Sequence, residues 1–508
     1  MMDDFDYDYG PDMDLIDNYP WPDDIYDDTG EIDMSKLIEI LEEEPELMEQ
    51  FRSLYGEEGI AYADEARAMI GGEQTIEALY NNCIIPNLTS AMENVVPLLV
   101  ICLLCSIVAR CQNRYVKHSL SAALGVYALY WFFTWNSLIL VPYGLLACVL
   151  LQYKRLRNRV GALLSSLTLI FVIACEFIIP AENWHNVRGA QMVLSMKVIS
   201  LGFDLANESV KSAPLLEMIS YLLHPGSVIF GPWISYQYYV NGVSYKRQWF
   251  DWRWLCYIIK SFSLAVIYLT WSSCLSSFLI QPATWGRWPD AYRDAQSFRM
   301  SHYFVCSLAE ATLLLSGVGE YNGDGELSNH VQVSEPLNIE LPRSLVEVVT
   351  SWNLPMHKWL RNYVFRIARP KYGAFSAILL TYASSSLLHG LNFQLAAVLL
   401  SLGIYSYIEH SLRQILAKAL SLCIESKQCD QCSHKYKRFH IGSIVVNILF
   451  TCVAMYHLAY LGVMFDTSES GGQEKGYSMV HTLRKWRKLG YASHIFALCT
   501  YAFYWLVK

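Results

Sequence analysis

Charge is scarce in this sequence. Only 17% of its 508 residues are Asp, Glu, Lys or Arg, and 53% are hydrophobic, whereas a soluble domain carries about a quarter charged residues. What replaces the charge is a series of long, nearly uncharged stretches. Each reaches the roughly 17–25 residues that a helix needs to cross a hydrocarbon layer. A soluble enzyme built on one large core is thereby excluded. No basic residue precedes Lys36, so no signal peptide is expected and the first span is expected to act as the targeting signal. No internal repeat is visible, so the inverted-repeat sign of many transporters is missing. Of the 14 cysteines, seven lie in apolar stretches: Cys102, Cys105, Cys148, Cys175, Cys274, Cys452 and Cys499. They are expected to be buried small hydrophobes, not a disulfide framework.

The acidic balance is local. Residues 1–60 hold 21 Asp and Glu against Lys36 and Arg52, a net charge of −19 within a total of −9, which leaves +10 for the rest. The head therefore gives no reason to expect nucleic-acid binding. Residues 1–34 are Asp- and Tyr-rich and read as disordered. Residues 35–94 read as a short helical region. It has one amphipathic helix from Ser35 that stops near Pro45, and a second helical patch near 73–83.

Residues 95–508 read as an all-α, polytopic transmembrane body of about 11 spans plus re-entrant or interfacial helices. The expected elements are 95–110, 119–134, 137–153, 160–179, 189–206, 219–240, 254–281, 298–318, 372–389, 393–411, 440–464 and 489–507. Two of them carry too much charge to face lipid: Lys197 lies in one, Arg299 and Glu310 in the other. These must face protein or a cavity. The basic clusters Arg110–Lys117 and Lys154–Arg159 set the topology, with the N-terminus lumenal and the C-terminus cytosolic. The basic segment 245–254 breaks the alternation, so residues 207–255 are expected to re-enter or lie at the interface.

Three segments stand out chemically. Ser384-Ser-Ser-Leu-Leu-His-Gly390 ends an apolar run on His389. A packing histidine is the plain reading. A general base is the sharper one, because imidazole titrates near neutrality and acyl transfer to a hydroxyl requires proton removal. Gly390 would let a substrate or another backbone approach. Ser386 lies one helical turn before His389, but small serines more simply allow close helix packing. Trp352-Asn-Leu-Pro-Met-His-Lys-Trp359 places Asn353 where it caps a helix or donates its amide to an oxyanion. Phe230-Gly-Pro-Trp233 breaks a helix at membrane depth, which is tolerated only against protein or a cavity.

Two further patterns carry less. Cys429-Asp-Gln-Cys432, with Cys423 and His434, has zinc-like spacing, but only one CxxC half is present and no metal is expected. Asn87-Leu-Thr89 and Asn207-Glu-Ser209 match glycosylation acceptors, and neither is expected to be used.

Together WNLPMHKW, SSSLLHG and FGPW resemble the membrane-bound O-acyltransferases. The segments WHNVRGAQM, LTYASSSLLHGLNF, YIEHSLR and HLAYLGVMFD strengthen the likeness over residues 95–508, and point to the branch that acylates secreted Wnt proteins. The resemblance implies transfer of palmitoleoyl from its coenzyme A thioester to a Wnt serine in the endoplasmic reticulum. No cofactor beyond that acyl-CoA substrate is expected. It implies His389 as base and Asn353 as its partner. Trp352, Tyr382, Ser385, Ser386, Phe230 and Trp233 would line the tunnel where donor and acceptor meet. The acidic head has no counterpart in that pattern. The alternative within the family is a lysolipid acyltransferase; outside it stand a transporter using His389 as a proton relay and a silent scaffold.

Overall fold

A computed structural model describes residues 75–245, 251–280, 287–429, 432–465 and 479–508. Asn81–Lys508 forms one compact unit. The acidic head and the helix expected from Ser35 lie outside the described residues.

The unit is helical apart from one small hairpin, β1 (Glu320–Tyr321) against β2 (Leu327–Asn329). Among the described residues, five helices are long and apolar enough to cross a membrane, with a sixth if one bent pair counts as a single span. Several sequence elements appear as whole helices: α1 (Ile85–Val108), α2 (Arg114–Phe133), α3 (Leu140–Gln152) and α4 (Val160–Ile178). The helices around α2 and α3 form the bent pair, at 108°.

The first span starts earlier than expected. Its candidate run is Ile76–Val108, so the anticipated boundary at 94/95 falls inside a helix. Polar side chains had masked the run in the sequence. In the fold they bond back to their own helix: Asn87 Nδ2 donates to Cys83 O (2.9 Å), Thr89 Oγ1 to Ile85 O (2.9 Å) and Asn94 Nδ2 to Ser90 O (3.0 Å). Such back-bonding satisfies a polar side chain without leaving the helix. It also places the Asn87 acceptor sequence on a helix rather than a loop.

Helix α5 (Ala181–Ala206) packs along α4 and is nearly all buried on its second half. Lys197 on it is fully buried and bonds to Tyr221 O (2.9 Å), Leu222 O (3.3 Å) and Ser227 Oγ (2.8 Å). The expectation that this helix faces protein holds for that reason.

The expected span 219–240 is not one helix. It is three short pieces, α6 (Leu215–Leu222), α7 (Pro225–Val228) and α8 (Tyr236–Ser244), with the chain turning at Gly231 (φ +83°). A buried ammonium needs several acceptors, and the interrupted backbone at Tyr221 and Leu222 provides them.

Helix α9 (Trp252–Thr270) lies against the 29-residue α10 (Arg287–Leu315). Arg299 on α10 is buried. Its Nε and Nη2 pair with Glu340 at 2.7 and 3.0 Å. Glu340 ends the short helix α11 (Leu337–Glu340). There follow α12 (Leu345–Trp352), α13 (Leu354–Leu360), α14 (Arg366–Leu388), α15 (Phe393–Leu420), α16 (Ile441–Gly462), α17 (Met479–Lys488) and α18 (Ala492–Val507). Within α14, Gly373 (φ +79°) kinks the backbone. The kink separates the basic stretch Arg366–Lys371 from the apolar run that leads to His389.

One cysteine expectation fails. Cys274 is bonded to Cys83 across 191 residues of sequence. Each sits in a π-helical turn, far from the other in sequence, so neither signalled its partner. Cys102, Cys105, Cys148 and Cys175 are buried as expected, whereas Cys452 and Cys499 are exposed on outer helix faces.

Candidate active site

Asn353 sits at the junction of α12 and α13, with an extended backbone (φ −146°, ψ 94°). Its Oδ1 accepts from Met356 N at 2.9 Å, so the residue is an N-cap. Leu354 N donates to Val333 O (2.8 Å), which fixes the junction to the segment before α11. The cap engages the oxygen only. Asn353 Nδ2 has no hydrogen-bond partner among the described residues, and the side chain is partly exposed. The capping reading is therefore correct for the oxygen, and the amide remains a donor.

His389 closes α14 as its C-cap; its N–H donates to Ser386 O at 3.1 Å. Ser385 and Ser386 are both buried in the preceding turn, and no hydrogen bond joins Ser386 Oγ to His389 among the described residues.

Gly390 has φ +92°, which L side chains rarely adopt. A Cβ there would stand 2.9 Å from Glu176 Oε2 and 3.1 Å from Arg188 Nε. Among the described residues, the close approach at Gly390 is made by the side chains of an ion pair. Glu176 on α4 pairs through Oε1 with Arg188 Nη2 on α5. Glu176 Oε2 accepts from Trp184 Nε1 (2.9 Å) and from Leu391 N (3.4 Å). The turn bearing His389 is thereby fastened to two other helices. Arg188 Nε is buried with no partner among the described residues.

One apolar cluster joins the motifs. Trp233 from the FGPW segment, Met356 and Trp359 from α13, Leu388 beside His389, and Met196 and Ile199 from α5 pack together. Met356 is the residue capped by Asn353, so both polar candidates border this cluster. Trp233 Nε1 donates to Ser200 Oγ (3.1 Å), and Trp359 Nε1 to Met196 O (2.9 Å).

Phe230, Tyr382 and Trp352 are not members of this cluster. Phe230 packs with Cys306, Ala309 and Val333, and meets Phe132 edge-on at 5.9 Å between centroids. Tyr382 presses on α15, where a Cβ on Gly403 would come within 2.7 Å of its ring. Trp352 packs beside Met300 and Tyr303 of α10.

A residue that drew no attention in the sequence lies beside the junction that carries Asn353. His302 on α10 places Nε2 2.9 Å from Trp352 O and stacks on that indole (4.3 Å between centroids, 11° between planes). His302 thus touches the peptide that leads into Asn353. Its only sequence signal was a histidine in a long, mixed-polarity helix. Glu176 carried a clearer one, as the sole charge between residues 160 and 179.

Residues 89–419 match the profile of the membrane-bound O-acyltransferase family. The chain belongs to that family. Its similarity to other proteins divides along function. It is 40% identical over 463 residues to the human protein-serine O-palmitoleoyltransferase porcupine, covering 87% of this chain and all of that protein. It is 35% identical to the protein of the same name from Anopheles gambiae, over 66% of this chain and 72% of that one. Lysophospholipid acyltransferase 2 of Arabidopsis thaliana is 26% identical over 55% of this chain and 69% of its own length. In membrane-bound O-acyltransferase terms, His389, Asn353 and the Glu176–Arg188 pair all fall inside the matched segment.

Proposed function

We propose that this multi-pass membrane protein transfers palmitoleoyl from its coenzyme A thioester to a serine hydroxyl of Wnt proteins in the endoplasmic reticulum. The observation that carries the reading is the shared cluster of Trp233, Met356 and Leu388. It joins residues of three motifs from distant parts of the chain, and two of them stand next to the proposed site residues: Leu388 directly precedes His389, and Met356 N is capped by Asn353. The resemblance to the palmitoleoyltransferases supports the acyl group and the acceptor.

In this mechanism His389 takes the proton from the serine Oγ as that oxygen attacks the thioester carbon. The carbonyl oxygen becomes an oxyanion, and Asn353 Nδ2 donates to it. The carbon–sulfur bond then breaks. The thiolate leaves as coenzyme A after taking the proton from the imidazolium, and a serine ester remains. No metal and no acyl-enzyme enters the scheme. Trp352, Ser385 and Ser386 would bound the acyl or thioester path; Tyr382, Phe230 and Trp233 would shape the helices around it.

The disulfide supports the proposed topology. Disulfides persist in oxidising compartments, and Cys83 lies in the N-terminal part of the first span, Ile76–Val108, so a lumenal N-terminal side accords with the pair. The proposed cytosolic C-terminus rests on the pattern of basic clusters alone.

The test is acyl transfer in detergent from palmitoleoyl-CoA to a disulfide-closed Wnt hairpin peptide, with wild type and His389→Ala compared. Transfer lost in a variant that keeps its thermal unfolding midpoint is the expected result. Equal transfer by both forms removes His389 as the base. Acylation of a lysolipid but not of the peptide moves the chain to the lysophospholipid acyltransferase branch, which the likeness to the Arabidopsis enzyme keeps in view.

A further inference from the structure

Between α15 and α16 the chain makes a loop whose ends are tied together. Leu422 and Tyr436 form a parallel bridge; Cys423 N donates to Tyr436 O and Tyr436 N to Ser421 O, each at 3.0 Å. The closure returns His434 and the Cys429/Cys432 pair to the side of Cys423. One ligand atom from each of Cys423, Cys429, Cys432 and His434 then lies within 4.8 Å of all the others. Two ligands about 2.3 Å from a tetrahedral centre stand about 3.8 Å apart, so the four atoms are close to the spacing that one ion requires. The sequence showed only one CxxC half; the bridge supplies the other two ligands.

We propose that Cys423, Cys429, Cys432 and His434 bind one structural Zn2+ as a Cys3His site. Thiolate and imidazole donors together select zinc, and four protein ligands leave no open position for catalysis. The histidine is already oriented. Its Nδ1 is 3.2 Å from Cys432 Sγ, while Nε2 faces Glu425 Oε1 at 3.8 Å. A ligating imidazole typically offers its second nitrogen to a carboxylate in this way. All three cysteines are free thiols.

The loop is fastened to the catalytic half of the bundle. Arg343 donates through Nη2 to Cys423 O and through Nε to Glu425 O, both at 2.9 Å. The fully buried Arg413 donates through Nε to Ile424 O (2.8 Å), and Ser344 Oγ donates to Ser426 O (2.9 Å). Arg343 and Ser344 lead into α12, whose far end is Asn353. A zinc-closed loop would therefore anchor the helix that presents the candidate oxyanion donor.

The test uses the full chain purified in detergent without added metal. Elemental analysis should find about one zinc per chain, and Cys432→Ser should lower that content at least about fivefold. X-ray absorption at the zinc edge, measured on wild type, should show three sulfurs and one nitrogen, with Zn–S near about 2.3 Å. This second measurement stands even if Cys432→Ser does not fold. A zinc shell of oxygen and nitrogen alone overturns the proposal. So does a metal-free wild type whose loop cysteines alkylate in the native state or prove to be joined in a disulfide.

Discussion

His302 Nε2 lies 2.9 Å from the carbonyl oxygen of Trp352, and the imidazole stacks on the Trp352 ring. The contact holds the peptide that leads into Asn353. His302→Phe keeps the stacking and loses the hydrogen bond. A buried carbonyl left without a partner costs about 1–3 kcal/mol, and a displaced donor costs rate more steeply than stability. The expected outcome is a fall in acyl transfer of at least about tenfold, with a small drop in thermal midpoint. Unchanged transfer would remove His302 from the positioning of the site.

Asn353 combines a cap and a donor, and two substitutions separate them. Asn353→Asp keeps an oxygen for Met356 N and removes the amide. Its thermal midpoint should hold while transfer falls by roughly 100-fold or more, the usual effect of losing one oxyanion donor. Asn353→Ala should add a stability loss of about 1 kcal/mol from the missing cap. If Asp supports full transfer, the amide is not the donor and only the cap matters.

At Gly390 the backbone and the neighbours both exclude a side chain. Gly390→Ala meets a left-handed φ and a carboxylate oxygen 2.9 Å from the new Cβ. The conformational strain alone is about 1–2 kcal/mol. A lowered thermal midpoint together with reduced transfer is expected, since the displaced turn carries His389. A variant as stable and active as wild type would show that the turn relaxes freely.

Glu176 and Arg188 should behave as a unit. Their side chains are 17% and 14% exposed, so Glu176→Leu strands a guanidinium in a largely desolvated place. Breaking such a pair costs up to about 3–5 kcal/mol, the lower end applying where some exposure remains. Replacing both residues by Leu removes the unpaired charge, so the double variant should recover part of the stability. Chemical unfolding of the three variants measures this. A double variant worse than the sum of the single ones contradicts it.

Non-reducing peptide mapping should recover a Cys83–Cys274 crosslink. Cys111, which follows α1 and is free and exposed, should react with a membrane-impermeant thiol reagent only after the cytosolic side of sealed microsomes is exposed to it. Labelling from the lumen instead would reverse the proposed topology.

The sequence by itself determined that this is a many-helix membrane protein and where its chemistry is concentrated. Long uncharged runs cannot remain in water, and SSSLLHG, WNLPMHKW and FGPW are local strings whose unusual polar residues stand out against apolar surroundings. Lys197 and Arg299 were legible as buried for the same reason, because a charge in such a helix must find protein partners. Tertiary structure alone decided which elements meet. Trp233, Met356 and Leu388 lie far apart in the chain and share one cluster. Cys83 finds Cys274, Gly390 faces Glu176 and Arg188, and His302 supports Trp352. Periodicity reports which face of one helix is apolar, but not which other helix covers it. Pairings across tens to hundreds of residues depend on the packing of the whole bundle, and leave no local mark in the sequence.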